Sequence, residues 1–356
     1  MSTRHFFPGH GAHMQVAVEV ATTYNTPKCE KEKSMIVPPL SGMLRARRVT
    51  LADLEGVLDL YNSFDIPRYG QPNQSLESIR TVWTAPDFDL ASDAWLVVTA
   101  DDRPIGYIHV MRDEENSFLT NGGVHPTYRR QGIGTHLLRL ATARAQAQTA
   151  QLQTNAPVTM RSFCLVKPIN EAEAHLLERE GYGVVRHFWD MELDLLTSPP
   201  VLVWPEGIRI RTFIPGKDEQ ALFEVFSEVF QDTWGYTRQT FETWAHDVFV
   251  PNSFDPTLAF LACAGDTVVG FALCVEFGEM GTIDQLGVRR PWRRRGLARA
   301  LLLHCFQAFA QRGKQTAHLS VDSESLTGAS RVYAGVGMRV TIQHALYEKM
   351  LPGEQR

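Results

Sequence analysis

The chain has 356 residues, 44% hydrophobic and 21% charged, with a formal net charge of −5. That length fits about two globular domains, and the composition excludes a disordered or collagen-like chain. The acidic balance argues against a protein whose main partner is nucleic acid, which is usually basic. The five cysteines (Cys29, Cys164, Cys263, Cys274 and Cys305) are odd in number and lack CxxC spacing. They speak against a disulfide framework or a four-cysteine zinc site, and a reducing, cytoplasmic compartment with no metal is expected. No run of about 18 apolar residues suggests a membrane span. The most apolar early run, Met14 to Ala21, is interrupted by Glu19 and does not read as a signal peptide.

Residues 1–42 hold His5, His10 and His13, scattered prolines and a charged cluster at Lys28–Lys33, with no sustained apolar period. A flexible leader is expected there. From Leu44 the chain repeats itself. Leu44-Arg45-Ala46-Arg47 matches Ile208-Arg209-Ile210-Arg211, and Asp102, Gly106, Val124, Arg129 and Gly132 match Asp266, Gly270, Val288, Arg293 and Gly296, all at an offset of 164. Later, Gly181 pairs with Gly337 at an offset of 156, so the first copy has the longer connection, around Gln146 to Val158. The expected divisions are a leader (1–42), a first domain (43–196), a Pro-marked linker (197–206), a second domain (207–350) and a tail (351–356).

Each copy reads in the same order. A short strand (Leu44 to Val49; Ile208 to Phe213) leads into an amphipathic helix, where Leu222, Val225, Phe226, Val229 and Phe230 share one face. A hairpin follows, Leu258 to Ala264 and Thr267 to Phe277, turning at Gly265-Asp266. Next come a strand ending at Val288, a basic glycine-containing loop, and a helix with Leu297, Leu301, Cys305 and Phe309 spaced by four. A fifth strand (Ala317 to Val321), a short helix (Thr327 to Gly335) and a last strand (Val340 to Glu348) complete the copy. Alternating strands and helices imply an α/β class with a mixed sheet in each half.

The informative loops are Val124-His125-Pro126-Thr127-Tyr128-Arg129-Arg130-Gln131-Gly132-Ile133-Gly134 and Val288-Arg289-Arg290-Pro291-Trp292-Arg293-Arg294-Arg295-Gly296-Leu297-Ala298. Each stands between a strand and a helix. The first turn of a helix offers free N–H groups and partial positive charge, glycine lets an anion approach them, and arginines add charge. Neither loop is a GxxxxGK[ST] phosphate loop or a complete GxGxxG fingerprint. A solvated basic turn is the plain alternative.

The pattern R-x-x-G-x-[GA] after a strand ending in valine and a nearby proline resembles the pyrophosphate loop of the GNAT (Gcn5-related N-acetyltransferase) superfamily. Two departures stand: the proline lies two residues after the valine in the first copy and three in the second, and Ala298 replaces the last glycine. Further on, Val321-Asp322-Ser323-Glu324-Ser325-Leu326-Thr327-Gly328-Ala329-Ser330-Arg331-Val332-Tyr333 resembles the family's V-D-x-x-N-x-T-G-A-x-x-[LV]-Y, with Ser325 in the asparagine place. The first copy has Leu177 at the tyrosine position.

The resemblance implies two tandem acyl-CoA N-acyltransferase domains, each a mixed, mostly antiparallel sheet flanked by helices. The two-copy plan is similar to that of the mycothiol synthases, whose C-terminal half is the active one. By the same resemblance, acetyl-CoA would bind at Leu286, Gly287, Val288, Arg293, Arg294, Arg295, Gly296, Leu297, Ala298, Arg299 and Ser325. In the first copy it would bind at Val124, Arg129, Arg130, Gln131, Gly132, Ile133, Gly134 and Thr135. The expected reaction is acetyl transfer to a primary amine of a small molecule, without a membrane or nucleic-acid partner. It needs a base for the amine proton, a main-chain donor for the thioester oxygen and a donor for the leaving thiolate. Tyr333 is expected as general acid, the Val288 amide as oxygen donor and Asp284 as base, sharing the face of Val288 unless a bulge intervenes. Glu276, Glu279 or water are the alternatives for the base. The loop Asp232-Thr233-Trp234-Gly235-Tyr236 would meet the acceptor through Trp234 and Tyr236. A non-enzymatic acyl-CoA sensor and a protein N-terminal acetyltransferase remain open.

Overall fold

A computed structural model describes residues 40, 42–70, 72–114, 116–149, 157–167, 171–196, 201–236, 238–249, 254–325 and 327–352. The expected leader (apart from residues 40 and 42), Cys29, most of the long connection of the first copy, residues 197–200 of the linker and 353–356 of the tail lie outside the described residues.

The elements in chain order are β1 (Arg45–Arg48), α1 (Leu54–Tyr69), α2 (Leu76–Trp83), α3 (Leu90–Asp93), β2 (Ala94–Val98), β3 (Pro104–Glu114), β4 (Ser117–Val124), α4 (Ile133–Thr149), β5 (Val158–Lys167), α5 (Glu171–Arg179) and β6 (Gly183–Asp194). The second copy continues with β7 (Ile208–Thr212), α6 (Glu219–Phe230), α7 (Phe241–Phe249), β8 (Ala259–Ala264), β9 (Thr267–Phe277), β10 (Met280–Val288), α8 (Leu297–Gln311), β11 (Thr316–Asp322), α9 (Ala329–Gly335) and β12 (Arg339–Leu351). Observed ends coincide with the expected ones or differ by at most three residues. Among the described residues no helix is long and apolar enough to cross a membrane.

Two compact units result, and they do not follow chain order. One holds the first copy up to Arg186 together with residues from His344 onward; the other runs from His187 to Gln343. The expected divisions at 196 and 350 therefore differ from the compact units at both strands. From Phe188 to Asp194, β6 pairs antiparallel with β11. From His344, β12 lies beside β5, places Ala345, Tyr347 and Leu351 in the first unit's core, and pairs Glu348 with Arg161. The physical reason is that a strand goes where it finds both a ladder partner and an apolar bed, and sequence order weighs little against that.

Within the first unit the strands run β1-β2-β3-β4-β5-β12; within the second, β6-β11-β10-β9-β8-β7. The pairs β1–β2, β2–β3, β3–β4, β6–β11, β10–β9, β9–β8 and β8–β7 are antiparallel, and β4–β5 and β10–β11 are parallel. In the second unit α8 supplies Leu297, Leu301, Cys305 and Phe309 to one face of the sheet, as their spacing requires. The stripe of α6 covers the other face, with Leu222, Val225 and Phe226 buried and Val229 and Phe230 packed beside them. Equivalent Arg–Asp pairs pin the start of each copy. Arg47 holds Asp53 and Arg211 holds Asp218, each through two guanidinium nitrogens.

Both parallel pairs are incomplete. β10 and β11 are in register only at Met280–Thr282 against Thr316–His318, and β4 and β5 only at Ser117–Thr120 against Thr159–Ser162. Beyond those points each strand stays with its antiparallel neighbour: β10 with β9 to Val288, and β11 with β6. The sheet of each unit is thus split at the C-terminal end of its β4-type strand, where the glycine loop begins.

Candidate active site

The two loops have the same main-chain path. Arg129 and Arg293 have φ of −65° and −66°, Arg130 and Arg294 63° and 61°, and Gly132 and Gly296 both 82°. Left-handed positions within such a loop turn successive N–H groups to one side, which makes a concavity for anions. A Cβ at Gly132 or Gly296 would meet nothing within 4 Å, so glycine is required there by its dihedral and the concavity is open. The first helical hydrogen bonds are donated by His136 to Gly132 and by Ala300 to Gly296. The N–H groups of Ile133, Gly134 and Thr135, and of Leu297, Ala298 and Arg299, have no helical acceptor.

The arginine side chains do different work from the main chain. Arg293 Nε donates to the Val288 carbonyl at 3.0 Å, and its guanidinium lies 3.5 Å from Asp232. Arg290 also pairs with Asp232, Arg289 lies 3.2 Å from Glu228, and Arg295 covers the Trp292 ring. Arg293 therefore braces the loop, whereas Arg294 is exposed. The Gly134/Ala298 difference has a packing cause: a Cβ at Gly134 would sit 3.0 Å from Leu176 of α5.

At the split, the main chain of Val288 is set by the ladder with β9. The Arg289 N–H bonds the Val269 carbonyl, so 289 and 269 form a hydrogen-bonded pair and Val288, opposite Gly270, a non-bonded one. The Val288 N–H and C=O point away from β9, into the opening; Val124 repeats this, with His125 N–H bonded to Ile105.

Asp284 does not share the face of Val288. The β9–β10 register jumps between Ile283 and Gln285, leaving Asp284 as a bulge residue. Before the bulge, Gly281 and Ile283 face α8; after it, Val288 does, with Leu286 packed on the same core. Gly287 faces α6, where a Cβ would come 2.9 Å from Val229. Asp284 therefore lies with Thr282 and Gln285 on the α6 side, a one-residue correction that alternation alone could not give. Its Oδ1 has no hydrogen-bond partner, and burial pushes its carboxyl up to about 7. Glu276 and Glu279 lie at the closed end of the β9–β10 pair, where Glu276 is held by Arg312 and Lys314, so neither reaches the opening.

Tyr333 stands on α9, which packs on α8 and β11 beside the split. Its ring lies against the α8-side core and its hydroxyl makes no hydrogen bond among the described residues. Burial raises its pKa to about 12. Leu177, its counterpart, is a core residue at 3% exposure. Ser325, in the β11–α9 loop, exchanges a hydrogen bond with the Thr327 hydroxyl at 2.8 Å. Trp234 meets Phe188 of β6 edge to face at 6.5 Å, but Tyr236 packs among the α6–α7 aromatics against Phe226. The structure thus separates the two aromatic residues that the sequence pairs as acceptor contacts.

Several polar residues on the same face were not singled out from sequence. The Oγ1 of Thr282, Oε1 of Gln285 and Oγ of Ser320 are buried without hydrogen-bond partners, as is Asp284 Oδ1. His318 belongs to this face of β11 and lies 3.9 Å from Asp190 of β6. The signal was present in the alternation Ala317-His318-Leu319-Ser320-Val321-Asp322, whose apolar members line the α8 core. Buried polar atoms in native proteins are nearly always satisfied, so a cluster of unsatisfied ones on one face marks a place built for polar contacts from outside the fold.

A family model for the acetyltransferase (GNAT) family matches residues 220–350, and one for an acetyltransferase (GNAT) domain matches residues 91–183. A mycothiol acetyltransferase of Actinosynnema mirum is 28% identical over 314 residues, 83% of this chain and 100% of that relative. One of Thermobispora bispora is 30% identical over 241 residues, 64% of this chain and 74% of that relative. The crystal structure of a GCN5-related N-acetyltransferase from Sphaerobacter thermophilus matches with a TM-score of 0.77 at 34% identity, covering 89% of this chain and 99% of the other.

Proposed function

Since the chain belongs to the GNAT acetyltransferase family, carries two of its domains and is therefore an acyltransferase, we propose that its second copy moves an acetyl group from acetyl-CoA to the primary amine of a small molecule. The observation that carries this reading is the split between β10 and β11, with the Val288 N–H facing it, the Gly296 loop at its mouth and the Tyr333 helix on its flank. The loop suits a diphosphate: three helical N–H groups without acceptors stand beside an open glycine. Acetyl-CoA bound there supplies the thioester.

The protein's own groups then divide the work. Asp284, ionised, takes the proton of the attacking amine; a pKa near 7 is well matched to that task. The Val288 N–H donates to the oxygen that gains charge, from a position fixed by the ladder and so without reorganisation. Tyr333 donates a hydrogen bond to the departing sulfur. With its pKa near 12 and a thiolate's near about 8.5, hydrogen-bond donation is favoured over complete proton transfer in the resting protein, which refines the expected general-acid role. His318 and Asp190 lie on the acceptor face with Asp284. Relatives named for a small molecule, mycothiol, favour a small acceptor over a polypeptide.

The first copy is read as non-catalytic. Leu177 has no hydroxyl, and the β3–β4 ladder runs without a break from Thr120, opposite Val110, to Asn121, opposite His109, so this copy has no counterpart of the bulge residue Asp284. Its loop has the geometry for coenzyme binding all the same. The test is thiol release from acetyl-CoA across a panel of primary amines, with wild type, Tyr333→Phe and Gly132→Asp. Tyr333→Phe is expected to lower kcat by about 10- to 1,000-fold with the KM for acetyl-CoA kept within about threefold. Unchanged kcat would remove Tyr333 from the mechanism, and thiol release with no amine of the panel would favour the acyl-CoA sensor. Weaker total coenzyme binding in Gly132→Asp is expected if the first loop holds a second molecule.

A further inference from the structure

The first unit has a small cleft of its own, about 40 Å³ and open to solvent, where β4 and β5 part. Tyr61, Phe64, Asp65 and Arg68 of α1, Asn121 of β4 and Glu173 of α5 are among its lining residues. Asp65 is 4% exposed, and its Oδ2 has no hydrogen-bond partner.

The internal repeat shows how unusual that carboxyl is. The buried stripe Val57, Leu60, Tyr61, Phe64, Asp65 of α1 recurs in α6 as Leu222, Val225, Phe226, Val229, Phe230. The match is spatial as well, because the Cβ of a residue at Gly123 would press on Phe64 as one at Gly287 would on Val229. Phe230, at the position of Asp65, lies ring to ring with Phe226 at 4.7 Å. One copy closes this place with a phenyl group and the other opens it with an acid. A buried carboxyl without a donor is costly, and a phenyl group in its place would not be.

The neighbours leave Asp65 unanswered. Arg68 donates to Glu173 at 3.3 Å and stacks over the Phe64 ring. Tyr61 directs its hydroxyl to Asn121 Oδ1 at 3.0 Å. An acceptor between aromatic walls, with the adjacent cation already engaged, matches an alkylammonium group: charge and hydrogen bond on the carboxylate, aliphatic carbons and cation–π contact on the rings. We propose that this cleft binds a small primary-ammonium ligand whose nitrogen is held by Asp65, at a site separate from the acceptor face of the second copy.

Burial places the Asp65 carboxyl near 7, with Arg68 opposing and Glu173 reinforcing the shift. Tyr61 and Tyr69 of α1 and His344 of β12 are the other titratable groups lining the cleft. An ammonium on Asp65 holds it ionised, so binding at pH 7 releases roughly half a proton.

The test is calorimetry on the full chain with n-butylammonium chloride and with n-butanol, in two buffers of different ionisation enthalpy. An Asp284→Asn background keeps the other carboxyl that burial raises to about 7 out of the proton count. Expected are saturable butylammonium binding with roughly half a proton released, at least a tenfold loss of affinity on adding Asp65→Asn, and weaker binding of n-butanol. Equal butylammonium affinity with and without Asp65→Asn would overturn the proposal. So would n-butanol binding as tightly as the ammonium, which would make the cleft a greasy hollow with water on the acid. If Asp65→Asn melts early, the n-butanol contrast and the proton release decide alone. Amine binding seen in wild type but absent from the Asp284→Asn background would place it in the second copy and also overturn the idea, leaving the acetyl-transfer reading intact.

Discussion

Replacing Asp284 by asparagine tests the chemistry and the burial argument together. The carboxyl is pushed from 3.8 to about 7 by desolvation, so the folded protein binds its proton more tightly than the unfolded chain does. The stabilising share is fully present below pH 3.8 and is lost as pH rises to about 7. Each pKa unit is worth about 1.4 kcal/mol, so the ionised acid costs the native state at most about 4 kcal/mol above pH 7. Solvent reaching the split would reduce this, and about 2–3 kcal/mol is a reasonable expectation. Asp284→Asn keeps the shape and removes the charge. At pH 8 its melting temperature should rise by about 4–10 °C, with almost no change at pH 4. Acetyl transfer should fall by about 100- to 10,000-fold, because the variant lacks the proposed base. The wild-type kcat/KM should climb through an inflection near pH 7 that the variant lacks. Thermal melts at the two pH values and a thiol-release pH profile check this. A variant within threefold of wild-type activity, or one less stable at pH 8, would refute the assignment.

Other sites give simpler outcomes. Gly281→Ala would place a Cβ 2.3 Å from the buried ring of Phe309; a loss of about 2–3 kcal/mol is expected from overpacking, read by urea unfolding. Truncation after Gln343 would remove Ala345, Tyr347 and Leu351 from the first unit's core and Glu348 from Arg161. Amide exchange should then rise in β5 and α4 more than in β8 and β9. Asp218→Ala would strand Arg211 and the Ile214 N–H, costing about 2–3 kcal/mol at pH 7. Because Arg211 holds the Asp218 carboxyl below its ordinary 3.8, that stability is present above pH 3.8 and fades as pH falls through the lowered value. The penalty of Asp218→Ala should therefore shrink in acid.

The internal repeat, the hairpin at Gly265-Asp266 and the two glycine-containing strand-to-helix loops were legible in sequence because each rests on local chemistry. A glycine that must take φ near 82°, a turn pair between β-formers and an apolar stripe at helical spacing leave their marks within a few residues. The difference between Tyr333 and Leu177 was legible for the same reason, since losing a hydroxyl is a change of residue type.

What needed the tertiary structure was decided by pairing across long separations. One extra residue at Asp284 turns its carboxyl to the α6 side, and only the ladder with β9 shows where that residue is inserted. Tyr236 stands beside Trp234 in the loop by sequence, and only the fold shows that it is half-buried and packs against Phe226 while Trp234 meets Phe188. The ends of β6 and β12 could have stayed with their own copies, but ladder partners and apolar beds drew residues 187–194 and 344–351 into the other unit's fold. Residue type and short-range spacing therefore determine which groups are present and how each loop turns. Strand register and burial are sums over many distant contacts, and they alone decide which side a carboxyl faces and whether it carries a charge.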